Sequence, residues 1–105
     1  MQTYVILRRH GWRTEDELND ATQRSTAAAA HATDVAWVRS YMLAECDGTF
    51  GTVCVYRATS PEAVRRHATA ASLPVDEIVE VADTLVLLPD PVPAAFLAKG
   101  ERRCE

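Results

Sequence analysis

The chain has 105 residues, 48% of them hydrophobic and 25% charged, with a net charge of -4, which fits one globular domain with a single core. The negative balance argues against sequence-independent nucleic-acid binding, which depends on Lys and Arg neutralising phosphates. No run reaches the ~18 apolar residues of a membrane span, and MQTYVILRRH lacks the order of a signal peptide. The expectation is a cytoplasmic protein with neither nucleic acid nor membrane as partner.

Residues 3–10, TYVILRRH, are rich in β-branched and aromatic side chains and stop at Gly11, which predicts a first strand. Thr14 with Glu17 three positions on has the spacing of a capping box, and Glu15, Asp16 and Glu17 place negative charge where a helix dipole favours it. The helix that follows shows a stripe of small residues, Ala21, Ser25, Ala28, Ala29 and Ala32 behind Leu18, so it can lie close on a sheet. VAWVRSYMLAE (35–45) and FGTVCVYRA (50–58) flank Asp47 and Gly48 and predict an antiparallel hairpin. Ser60 and Pro61 open a second helix that ends before Pro74. Residues 75–89 predict a fourth strand, bent near Ala82 or Asp83.

The order is βαββαβ. With right-handed crossovers it gives an α+β, ferredoxin-like sandwich, a four-stranded antiparallel sheet with both helices on one face. Residues 1–90 form the domain and 91–105, proline-rich at the start and charged at the end, a C-terminal tail. Cys46, Cys54 and Cys104 match neither a zinc motif nor a disulfide framework and read as free thiols.

Strand alternation groups Trp37, Arg39, Tyr41, Cys54 and Tyr56 on one side of the hairpin and Val38, Ser40, Met42, Val53 and Val55 on the other. The expectation is that the aliphatic set faces the helices and the aromatic set lies on the open face, beside Tyr4, Ile6 and Arg8. An aromatic sheet face of this size invites association. A homodimer, or a higher homo-oligomer, packed sheet against sheet as a dimeric α+β barrel would leave a cavity suited to a small anionic or aromatic ligand.

On the second helix Val64, His67, Ala68 and Ala71 form an i, i+3, i+4, i+7 stripe in which His67 alone is polar. Either it is a core histidine with a hydrogen-bond partner, or it is a ligand or general acid/base at a cavity rim, near Arg65, Cys54 and Tyr56. His10 stands among Arg8, Arg9 and Arg13, whose charges disfavour a cation; the cluster reads first as a solvated strand end and second as a place for a carboxylate or phosphate. His31, near the end of the first helix, is explained by the helix dipole. Cys54 lies between Val53 and Val55, a setting that leaves a thiol inert.

WVRSY and VCVYRATSPEAVRRHATAASLPVDEIVEV resemble a family of small bacterial proteins with a ferredoxin-like fold, mostly uncharacterised, one group of which is described as nickel-binding. The resemblance runs from about Thr3 to about Val81 and rests on Trp37, Ser40, Tyr41, Cys54, Tyr56, Glu62, Arg65, His67, Ala68, Pro74 and Val81. It implies a small dimer or higher oligomer, with nickel or another divalent metal as the cofactor to look for and His67 and His10 as its candidate ligands. Arg39 stands where such proteins often carry histidine or another polar residue, and Leu7 where they often carry an acid. Three readings of function stand side by side. The first is a binding protein whose site comprises Trp37, Arg39, Tyr41, Cys54, Tyr56 and Arg65. The second is a cofactor-free isomerase or oxygenase with His67 as acid/base, and the third is a dimerisation module.

Overall fold

A computed structural model of the protein describes residues 1–90. Its elements follow the expected order: β1 (Gln2–Trp12), α1 (Glu15–Ala30), β2 (Val35–Ala44), β3 (Phe50–Ala58), α2 (Pro61–Ala70) and β4 (Glu77–Glu80). The sheet runs β2-β3-β1-β4, every neighbouring pair is antiparallel, and the architecture is ferredoxin-like α+β. The tail expected over residues 91–105, with Cys104, lies outside the described residues.

Both helix starts form as their sequences dictate. Thr14 and Ser60 accept hydrogen bonds from the N–H groups of Glu17 and Ala63, and Pro61 occupies the first turn of α2. At the hairpin, Gly48 takes a φ of +90°, the region that favours glycine. The fourth strand is shorter than expected. Residues 81–88 lie outside strand, although the Val81 N–H still donates to the Thr3 carbonyl, and Asp90 then reaches Arg39 and Tyr41.

The faces of β1 and β3 are the reverse of those expected. Tyr4, Ile6, Arg8, Thr52, Cys54 and Tyr56 are buried, with Tyr4 opposite Tyr56, Ile6 opposite Cys54 and Arg8 opposite Thr52. One core cluster joins Tyr4, Ile6, Cys54 and Tyr56 to Ala63 and Val64 of α2. The reason is volume. Both helices offer the sheet small residues, Ala21, Ser25, Ala63 and Ala68, so the large side chains that fill the layer between must come from the sheet. In β2 the register shifts between Trp37 and Arg39. That bulge puts Trp37, opposite Tyr56, on the same face as Ser40, opposite Cys54, while Arg39 and Tyr41 pair with Val55 and Val53 on the open face.

Candidate functional site: a cavity under the first helix

A cavity of about 20 Å³ lies between the sheet and α1, walled by Trp12, Leu18, Trp37, Met42, Tyr56 and Leu73 among others. This is room for about one water-sized group. Polar atoms enter from the sheet (Arg8, Ser40, Thr52, Cys54) and from α1 (Thr22, Ser25).

The back of the cavity is a hydrogen-bonded chain. Ser25 Oγ sits 3.2 Å from the Tyr56 hydroxyl and 3.2 Å from His67 Nε2, and the Tyr56 and His67 rings lie 5.2 Å apart, tilted by 57°. Trp37 stacks on Tyr56 at 6.2 Å. Its Nε1 donates to Ser40 Oγ at 2.7 Å, and that hydroxyl donates to Cys54 Sγ at 3.0 Å. Burial pushes the Tyr56 hydroxyl pKa up, while its hydrogen bond from Ser25 opposes the rise.

Among the described residues three buried side-chain atoms have no hydrogen-bond partner: Arg8 Nη2, Thr52 Oγ1 and His67 Nδ1. Arg8 is 1% exposed, and its Nε donates to the Pro74 carbonyl at 2.7 Å. No ion pair among the described residues includes it.

The six binding residues expected from the sequence divide among three surfaces. Trp37, Cys54 and Tyr56 are on the helix side and meet at the cavity, which corrects their placement on the open face; the bulge and the small helix residues are the cause. Arg39 and Tyr41 are on the open face, where Asp90 accepts from both, at 2.6 Å from Arg39 Nη1 and 2.9 Å from the Tyr41 hydroxyl. Arg65 is exposed on α2, beside a cleft shared with Asp76 and Glu77. Cys54 is a free, buried thiol as expected, whereas Cys46 is not free.

His67 is buried, and its imidazole points beneath its own helix to Ser25 of α1. Burial holds its pKa below the ordinary 6.5, the Arg8 charge adds to that effect, and Asp34 opposes it. The unfolded chain therefore binds the proton first as pH falls. The contribution of His67 to stability is complete above pH 6.5 and is lost as pH drops through the folded-state pKa. Denaturant titrations should show wild type losing stability from pH 6.5 downward, and His67→Gln should lack that portion of the slope. Asp34, Glu45 and Asp47 are held below the ordinary carboxylate range by Arg66, Arg9 and Thr49 respectively, Asp47 at about 2, so their losses fall at lower pH.

His10 lies at the exposed end of β1 with a φ of +54°. Its Nδ1 is 3.0 Å from Asp47 Oδ2 and 3.1 Å from Thr49 Oγ1. Nearby Glu45 is held by Arg9 through bonds of 2.7 and 2.9 Å and by the His10 N–H at 2.9 Å. His10 and His67 share no partner, and among the described residues no three His, Cys, Asp or Glu side chains are grouped to hold a metal ion. Nickel needs several N, O or S donors around one point. The free nitrogen of His67 instead faces the influence of a cation, Arg8, so these residues do not fit a nickel centre.

Residues 4–81 match the model of the family described as nickel responsive protein SCO4226-like. The chain belongs to the SCO4226-like family. Among solved structures it is similar to SCO4226 from Streptomyces coelicolor A3(2), at 24% identity and a TM-score of 0.63, covering 79% of this chain and 99% of that one. This likeness is one of fold. SnoaB, a cofactor-independent oxygenase from Streptomyces nogalater, matches at 22% identity and a TM-score of 0.45, over 83% of this chain and 98% of that one. No curated protein matches the chain. Among the described residues no helix is long and apolar enough to cross a membrane.

Sequence reasoning set Arg8 on the open face and left it, Ser25 and Thr52 out of the site. The signal was present in part, because Arg8 falls in phase with Tyr4 and Ile6 along β1 and so shares whichever face they take.

Proposed function

We propose that this member of the SCO4226-like family is a small-ligand-binding protein whose site is the cavity between the sheet and α1. The observation that carries the reading is the pair of buried polar atoms left without partners at the cavity wall, Arg8 Nη2 and Thr52 Oγ1. Buried polar groups in folded proteins are otherwise nearly always paired, and an aromatic and aliphatic wall with a few convergent polar atoms is the usual form of a binding site. The family name supports a nickel-linked role for its members, but the described donor set favours a ligand that is not a metal. His67 is one step behind the wall, holding Ser25 and Tyr56 in place, and this favours binding over acid/base catalysis by the imidazole.

Among compounds no larger than acetate or acetamide, at least one should change the fluorescence of Trp12 and Trp37 saturably on titration. Ala21→Leu, which fills the cavity, should abolish the change. If no compound of that set gives a saturable response in the wild-type protein, the cavity is not a site.

The same reading includes a homodimer built through the open sheet face. Its support is apolar exposure, with Val38 and Tyr41 exposed on the sheet and Leu85, Val86, Leu87 and Leu88 more than 70% exposed in succession. Such a patch is unusual on a lone domain. Light scattering at micromolar concentration should give twice the protomer mass, and Leu85→Asp with Leu87→Asp should reduce it to one. A wild-type monomer under those conditions defeats the dimer.

A further inference from the structure

We propose that the cavity's ligand is a small monoanion, a carboxylate head group or a halide, held between the Arg8 guanidinium and the Thr52 hydroxyl. This rests on the cavity being a binding site and adds the charge of what it binds. Arg8 is among the most completely buried side chains of the protein. Its Nε donates to the Pro74 carbonyl and its side chain also bonds the Tyr56 hydroxyl, and both of these partners are neutral. Glu45, whose side chain meets the neighbouring residues of β1, is committed to Arg9 and the His10 N–H. Among the described residues no Asp or Glu lines the cavity.

A buried charge without a counter-charge is costly, and burial alone does not make a guanidinium give up its proton. Among the described residues no oxygen brings Arg8 a negative charge, the Tyr56 hydroxyl included. Ser25 is shared by Tyr56 and His67, and Ser40 donates to Cys54. What remains open is a cationic N–H on β1 and, directly opposite in register on β3, a hydroxyl able to donate. A water molecule would complete the hydrogen bonds and leave the charge unbalanced. A carboxylate or halide accepts from both groups and balances the charge as well, through the stronger, charge-assisted kind of bond. Size favours a small ligand, because about 20 Å³ is room for about one water-sized group, such as a halide or one oxygen of a carboxylate. Burial first, and the same cationic field second, lower the pKa of His67, so the surroundings disfavour a second positive charge.

The test compares acetate, formate and chloride with acetamide at matched ionic strength, reading the thermal midpoint of the full chain. At roughly ten times its dissociation constant, acetate should raise the midpoint saturably by about 5 °C or more, with acetamide giving no saturable rise. Arg8→Gln should remove the acetate effect. Thr52→Val, which keeps the cation, should weaken it several-fold and serves if Arg8→Gln does not fold. In the wild-type protein the Arg8 Nε–Hε resonance should move on titration with acetate. A response to acetate and formate without one to chloride assigns a carboxylate, and the converse assigns a halide. Equal saturable binding of acetate and acetamide overturns the anion while leaving the cavity as a site. Absence of saturable binding by all four probes overturns both.

Discussion

Alanine in place of His67 lowers the free energy of unfolding by about 2–4 kcal/mol and the thermal midpoint by roughly 10 °C or more. The imidazole is 5% exposed, and it packs against the Tyr56 ring while its Nε2 meets Ser25 Oγ. Truncation leaves a hole in the layer between helices and sheet and takes a partner from a buried hydroxyl. Because α1 and α2 present mostly alanines to that layer, no neighbouring side chain is long enough to collapse into the space. His67→Gln, which restores a polar group near Ser25, should recover part of the loss. Equilibrium denaturation of the three proteins checks this, and an alanine variant as stable as wild type would show that the imidazole is not a packing element.

That outcome bears on what the sequence disclosed. The helix starts, the Asp47-Gly48 turn and the order of elements were all legible, because each depends on residues within a few positions of one another. The stripe Val64, His67, Ala68 also placed the histidine correctly on the inner side of α2, as the burial of all three confirms. What remained hidden was set across strands. Alternation divides Trp37 from Val38 but does not say which face meets the helices, and the register shift after Trp37 breaks the alternation where the candidate site begins. The deciding fact is a balance of volumes: small residues on both helices draw Tyr4, Arg8, Cys54 and Tyr56 inward. Arg8, read as one member of a basic cluster at a solvated strand end, thereby becomes, among the described residues, the only charged side chain on the cavity wall.

Gly51→Ala tests the element that fixes Arg8 in position. A glycine-to-alanine change in a permissive backbone usually stabilises by about 0.4–1 kcal/mol through the unfolded state. Here the sign should reverse, with a loss of about 2–4 kcal/mol. A methyl group on Gly51 would sit 2.5 Å from the Arg8 carbonyl oxygen and 2.9 Å from Glu45 Oε2. The carbonyl belongs to the central strand and cannot swing aside without disturbing the β1–β3 pairing next to its irregularity between Arg8 and Trp12. The Glu45 oxygen is tied to Arg9 and to the His10 N–H. Gly48→Ala supplies the contrast, since nothing lies within 4 Å of a methyl group there and only its φ of +90° resists the change, a cost of about 1–2 kcal/mol. Urea titration of the two variants should place Gly51→Ala clearly below Gly48→Ala. The opposite ranking would mean that β1 yields at Arg8, and a strand that yields there could not hold the guanidinium at a fixed place on the cavity wall.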